Sequence, residues 1–394
     1  MKETTTASAS FPPTEFPADE LQKLVTEYRR QLHRIPEQGF HETETQRFLQ
    51  SVLEPLHCRV EPVLKTGLTA FFDFGREETL AFRSDMDALP IREATGLPFA
   101  STRDGVMHAC GHDGHMANLL GFALLLDRRL RDDAAAPFNA LLIFQPAEEI
   151  IDGAHMVCET GILDRCRVRS VYGLHLWPFL PAGEIASRPG PMMARSTEVN
   201  VDVTGRSAHC GEPEKGRDAL LAGCRFVEEM YHYRRDVMDA ERDPGLISFG
   251  RMESGTVRNA IAGAARIEGS MRTFYDRTWD AMTDAMQEIG ERLHAEMDVT
   301  VAVDCSKGHP AVINDEALYG RLRPLLAELP CTELPAPVMI AEDFSFYQRF
   351  RPGVFFFLGT GTGIPLHSDR FTFDETILPA GVHLFERLFL FAAQ

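Results

Sequence analysis

Apolar runs at residues 68–74, 80–82, 140–144 and 170–176 alternate with stretches of helical spacing, and this alternation limits the fold more than any other feature of the sequence. Leu21, Leu24, Val25, Tyr28 and Leu32 fall on one face of a helix that starts near Asp19 and stops before Pro36. A second helical stretch, 116–126, precedes the run at 140–144. Strands alternating with helices predict an α/β domain built on a mostly parallel sheet covered on both faces. Sites in such sheets lie beyond the carboxyl ends of the strands.

The rhythm changes near Met193. Residues 198–203 alternate like a half-buried strand, 219–233 read as a helix, 246–249 and 265–274 as strands, 279–297 as a helix and 299–303 as a last strand. That β-α-β-β-α-β order predicts a ferredoxin-like α+β domain. The α/β pattern then resumes with a helix at 316–329, which Pro324 should kink or divide, a strand at 354–358 and a closing helix at 378–393. A chain of 394 residues exceeds the usual size of one domain, which agrees with two. We therefore expect a flexible tail at 1–17, a catalytic domain at 18–193 and 307–394, and a smaller inserted domain at 194–306.

Forty Lys and Arg stand against 58 Asp and Glu, a net charge of −18 that disfavours nucleic-acid or anionic-membrane partners. No apolar run approaches the roughly 18 residues of a membrane span. Residues 1–17 hold no apolar signal core, and the eight scattered cysteines include no Cys-x-x-Cys pair. These features lead us to expect a cytoplasmic protein with reduced thiols.

The densest chemistry lies in Met107-His108-Ala109-Cys110-Gly111-His112-Asp113-Gly114-His115. Thiolate and imidazole together suit a borderline-soft divalent ion. A nucleophilic Cys110 activated by His112 is the alternative. The i, i+2 spacing on an extended segment favours shared coordination. Phe144-Gln145-Pro146-Ala147-Glu148-Glu149 follows an apolar strand that Pro146 should bend out of its ladder, so that one carboxylate holds a metal while the other manages the proton of a water. His175 and His367 sit in or near apolar runs, and a lone histidine in such company is more often a core residue. Asp85 and Asp87, at a strand end, are placed to accept the N–H of a ligand imidazole. Gly359-Thr360-Gly361-Thr362-Gly363 lacks the lysine of a phosphate loop and reads as a tight loop offering backbone N–H groups to a carboxylate.

Leu32-His33-Arg34-Ile35-Pro36-Glu37, followed by residues 84–90, 108–115, 145–149, 173–178, 341–344 and 366–369, resembles in order the motifs of the aminoacylase and carboxypeptidase G family of dinuclear metallohydrolases. The Cys-x-His form is similar to the branch of hippurate hydrolases, N-acyl-amino-acid amidohydrolases, indole-acetyl-amino-acid hydrolases and N-acetyldiaminopimelate deacetylase. The resemblance implies two divalent ions held by Cys110, His112, Glu149, His175 and His367, with Cys110 as the bridge. Zinc is the first choice; manganese, cobalt and nickel also fit. It implies Glu148 as general base and later acid, and Asp85 and Asp87 as supports behind the ligands, with His108, Asp113 and His115 as further candidates. The inserted domain would be a lid that also makes a homodimer. It would bring His209 to the transition state, Asn259 to the reacting carbonyl and Arg272 to the substrate's free carboxylate.

The run Cys210-Gly211-Glu212-Pro213-Glu214 departs from the small residues and second histidine usual after His209, and Ala260-Ile261-Ala262 lacks a proline often found there. Both bear on substrate choice. The expected substrate is a small N-acyl amino acid, and the expected reaction is hydrolysis of its amide bond. The nearest rival is a dipeptidase or carboxypeptidase on the same centre; a thiol hydrolase and a metal-stabilised binding module are the remaining readings.

Overall fold

The computed structural model describes residues 11–150 and 153–391. The chain divides into two compact units: one runs up to Met192 and takes in Ile313–Ala336 and the chain from Asp343, and the other comprises Met193–Val312 and Pro337–Glu342. The second unit thus runs past the expected limits of 194–306. No helix among the described residues is long and apolar enough to cross a membrane.

The first unit holds an eight-stranded sheet in the order Arg59–Val63, Gly67–Phe72, Asn139–Gln145, Thr79–Asp85, Val168–Trp177, Gly353–Gly359, Ile185–Ser187, Cys331–Glu333. The four strands from Asn139–Gln145 to Gly353–Gly359 are mutually parallel. Three of them are buried at every position, and the fourth at every position but Arg169. Burial on both faces is why they read as continuous apolar runs without alternation. Arg59–Val63 and Gly67–Phe72 form an antiparallel extension at one edge.

Helices Ala18–Arg34, His112–Arg131 and Leu378–Leu390 pack against one another beside the sheet. Phe82, Phe122, Phe385 and Phe389 interlock there as tilted and edge-on pairs. Such pairs add about 0.5–1.5 kcal/mol beyond burial of their area. Glu316–Glu328 runs unbroken through Pro324, and the Asp315 side chain caps it by accepting from the Leu318 N–H at 2.6 Å.

Of the expected tail, residues 1–10 lie outside the described residues, and residues 11–17 are a correction. The Phe11 N–H bonds the Leu390 carbonyl, the Thr14 N–H bonds Glu386 Oε1 at 2.7 Å, and the Pro12 carbonyl accepts from Arg129. Phe11 and Phe16 pack against the core, so this stretch gains apolar contacts and partners for its backbone. The last residues of the expected closing helix, 392 and 393, also lie outside the described residues.

In the second unit a fully antiparallel sheet runs Thr300–Cys305, Arg195–Thr204, Ala264–Thr273, Gly245–Ser254. Val199, Val201, Val203 and Ile267 meet Phe226 and Met230 of helix Ala219–His232 and Met282 and Met286 of helix Asp276–Met297 in one core. The other face of the Arg195–Thr204 strand carries Glu198, Asn200 and Asp202, which explains its period-two pattern.

Candidate metal centre

Parallel neighbours Thr79–Asp85 and Asn139–Gln145 end level, with Asp85 opposite Gln145. Beyond them the chain continues to Asp87 on one side and to Glu148 and Glu149 on the other. His175 lies near the end of Val168–Trp177. Cys110 and His112 were expected on one extended segment, but His112 is the first residue of helix His112–Arg131. Gly111, with φ 86°, makes the turn between them, a conformation that favours glycine. Glu148 and Glu149 lie in a turn past the strand end, where Ala147 has φ 60°. His367 reaches the site from the loop after Gly353–Gly359, and its N–H bonds the Ala109 carbonyl at 2.9 Å, beside Cys110.

The structure brings all five expected ligands together. Cys110, His112 and His175 offer ligand atoms within 4.8 Å of one another, as do Cys110, Glu149 and His367, so Cys110 is common to both groups. The same spacing joins His112, Glu148 and Glu149. Cys110 Sγ lies 3.4 Å from His175 Nε2. Glu149 Oε1 lies 3.8 Å from His112 Nε2 and 3.5 Å from His367 Nε2, and Glu148 Oε2 lies 4.0 Å from His112 Nε2.

The second nitrogen of each buried imidazole fixes which one faces the cluster. His112 Nδ1 donates to the Asp87 backbone carbonyl at 2.9 Å, and His175 Nδ1 donates to the Leu176 carbonyl at 2.7 Å. Both therefore present Nε2. The sequence suggested that an aspartate side chain would take such a proton; for His112 the main-chain oxygen of Asp87 does, while its Oδ2 accepts the Glu149 N–H at 3.0 Å. Asp85 binds His115 Nδ1 at 2.7 Å, and His115 Nε2 accepts the Leu176 N–H, so both ring nitrogens of His115 are engaged. Asp113 turns to Arg29 at 2.9 Å and His33 at 2.7 Å.

The field in the cluster is strongly negative. Burial opposes the His112 imidazolium, yet Asp85, with Asp87 and Glu149, outweighs it and pushes the pKa up to about 10. Burial, with Asp87 and Asp85 added and His112 opposing, pushes Glu149 up to about 7. Burial and then His115 hold His175 well below the usual imidazole value, the neutral form that binds metals. His112 Nε2 and Glu149 Oε1 are buried without a hydrogen-bond partner among the described residues. Buried polar atoms are rarely left so, and sulfur, nitrogen and oxygen donors around a negative field fit a divalent cation.

Four of the five amides of the Gly359–Gly363 loop are already bonded within the chain. The N–H groups of Gly359, Thr360, Gly361 and Gly363 bond the carbonyls of Glu184, Trp177, Leu180 and Pro178. In the second unit, the segments of His209 and Asn259 lie side by side: the Cys210 N–H bonds the Asn259 carbonyl at 3.1 Å and the Ile261 N–H the Ala208 carbonyl at 2.8 Å. His209 and Asn259 are exposed. Arg272 is half-buried on the Ala264–Thr273 strand; it donates to Ser270 Oγ and the Met271 carbonyl, and burial lowers its pKa.

Sequence reasoning assigned no role to Arg83, Gln145, Asp343 or Glu42. Arg83 donates to Asp85 at 2.9 Å, Gln145 at 2.8 Å and Asp343 at 2.6 Å. Glu42 accepts the Ala147 N–H at 2.9 Å and the Thr66 hydroxyl at 2.6 Å, steadying the turn ahead of Glu148. Glu42 and Asp343 lie within or beside the quoted motifs, which was the available signal.

Residues 81–390 match the model of Peptidase family M20/M25/M40. The chain is 36% identical over 372 residues to N-acetyldiaminopimelate deacetylase of Lacticaseibacillus paracasei, covering 91% of this chain and 95% of that protein. It is 32% identical over 377 residues to an uncharacterized hydrolase of Staphylococcus aureus, covering 93% and 97%. It is also similar to the crystal structure of a dinuclear metal binding peptidase of the M20 family from Bacillus subtilis, with a TM-score of 0.83, 32% identity, and coverage of 95% and 99%. The chain belongs to peptidase family M20/M25/M40 and is a hydrolase.

Proposed function

We propose that this enzyme hydrolyses the amide bond of N-acyl amino acids, releasing a carboxylate and a free amino acid. The observation that carries the reading is Cys110 shared between two donor groups, Cys110/His112/His175 and Cys110/Glu149/His367, with Glu148 at their margin. Similarity to a dinuclear metal binding peptidase and to a deacetylase of an N-acetylated amino acid supports it. Cys110, His112, Glu149, His175 and His367 would hold two divalent ions, which supply a Lewis acid that acidifies water and polarises a carbonyl. The donor set favours zinc, with manganese, cobalt or nickel as alternatives.

Glu148 is the proton carrier in this reading. Its side chain is 12% exposed, so it meets both the cluster and the solvent. Glu148 would take a proton from water as the amide carbonyl is attacked and return it to the leaving amine. Asp87 steadies its neighbour Glu149 through the main-chain N–H and holds His112 through its carbonyl. His209 would donate to the developing oxyanion, Asn259 would hold the acyl oxygen and Arg272 would pair with the substrate carboxylate.

A second reading, a dipeptidase or carboxypeptidase on the same centre, is favoured by the peptidase from Bacillus subtilis. A substrate panel separates the two. Release of amino acid from N-acetyl, N-benzoyl or N-indoleacetyl amino acids supports the first. Turnover confined to dipeptides with a free amino terminus supports the second. Glu148→Gln should keep the metal content and lose most turnover; a variant with near-full turnover would remove Glu148 from the mechanism.

A further inference from the structure

We infer that Asp343 is a positioning residue for Glu148 and Glu149: its carboxylate pins both ends of the turn that carries them. The inference rests on the functional reading above. Asp343 Oδ2 accepts Gln145 Nε2 at 2.7 Å, where the strand ends, and the Ala154 N–H at 3.0 Å, where the chain enters helix Gly153–Glu159. Its other oxygen takes Arg83 Nη2 at 2.6 Å, and Arg83 Nε closes the ring onto Gln145 Oε1 at 2.8 Å. Asp343, Gln145 and Arg83 are at most 1% exposed. Within the turn, the Ala147 N–H is held by Glu42, the Glu149 N–H by Asp87, and the Gly153 N–H by the Ala147 carbonyl at 3.2 Å.

A carboxylate suits this place because it only accepts. Oδ2 receives two donors and Oδ1 a guanidinium, so an amide of the same shape must either lose acceptors or turn its NH2 toward Arg83. Charge-assisted bonds in a buried setting are also the stronger ones. The two anchored residues bracket Glu148 and Glu149, so a slack clamp moves the carboxylates without touching Cys110, His112 or His175. Loss of a partner behind a metal site typically costs about 10–100-fold in activity or metal affinity.

The test is Asp343→Asn in the full-length chain, alone and combined with Glu148→Gln. Hydrogen exchange followed by mass spectrometry should show faster exchange in the peptide spanning 145–154, with the peptides of the second unit unchanged. With the N-acyl amino acid that the parent turns over, kcat should fall about 10–100-fold while KM stays within about twofold. In the Glu148→Gln background the same change should cost clearly less than in the parent, because only the part of its effect that runs through Glu149 remains. Unchanged exchange in the 145–154 peptide overturns the inference. So does a loss in the Glu148→Gln background equal to that in the parent, which marks general damage. If Asp343→Asn does not fold, Gln145→Ala removes one arm of the clamp and should give a smaller change in the same peptide; no change there is equally decisive. A parent that hydrolyses no amide defeats the functional reading, and the exchange result then decides the clamp independently.

Discussion

Arg83 and Asp343, separated by 260 residues of sequence, meet at 2.6 Å in the interior of the first unit. Arg83 also carries Asp85 at 2.9 Å, so one guanidinium serves two buried aspartates.

Replacing Arg83 with Met should leave both carboxylates buried without the guanidinium they share. Breaking a buried ion pair by removing one partner costs about 3–5 kcal/mol. Urea unfolding should show a loss of that size. Arg83→Lys should recover only part, because an ammonium lacks the planar fork that reaches Gln145, Asp85 and Asp343 together. Full recovery by lysine would contradict the fork argument.

Gly153 closes the turn that carries Glu148 and Glu149. A Cβ built there would lie 1.8 Å from the Pro146 carbonyl oxygen. Gly153→Ala should therefore lower both melting temperature and metal content. Gly320 is the control: it lies in helix Glu316–Glu328, and a Cβ there meets nothing within 4 Å. Gly320→Ala should stabilise by about 0.5–1 kcal/mol.

Glu42 makes stability depend on pH. Burial is the largest cause and, against bonds from Thr66 and Ala147, pushes its pKa from 4.5 up to about 7. Between those values the folded chain keeps a proton that the unfolded chain has released. Its contribution to stability therefore falls as pH rises from about 4.5 to about 7. Glu42→Gln removes this titration, so the parent should gain stability relative to the variant on going from about pH 8 to about pH 5. Paired thermal melts at the two pH values measure it. A difference that is constant, or that grows with pH, would contradict burial as the cause.

His112→Ala should lose bound metal as well as turnover, since Nε2 faces Cys110, Glu148 and Glu149 at the centre of the donor set. Metal content measured on dialysed protein checks this. An unchanged content would place the ions elsewhere.

Much of this arrangement is legible in the sequence because its signals are local. The strands at 140–144 and 354–358 appear as apolar runs because both faces of the sheet are covered. Cys110, His112 and their neighbours announce a metal site because ligand types crowd into one stretch. The geometry between Cys110 and His112 was not legible: an i, i+2 pair fits an extended segment equally well, and only the left-handed Gly111 shows that a helix begins there. The clamp of Arg83, Gln145 and Asp343 was invisible for another reason. Its members become partners only once the parallel strands set Asp85 level with Gln145 and bring Asp343 to them. That four amides of the Gly359–Gly363 loop are taken by carbonyls of the chain was not legible either, because glycine content reveals nothing of which carbonyls lie nearby.

A metal-dependent amidohydrolase centred on Cys110 must lose its activity with its metal. The most direct test is to count the metal in the purified protein by elemental analysis and follow amino-acid release from an N-acyl amino acid with and without chelator. About two ions per chain are expected, with release that stops with chelator and returns with added metal. Release indifferent to chelator but abolished by a thiol-alkylating reagent would contradict this and return Cys110 to the role of nucleophile.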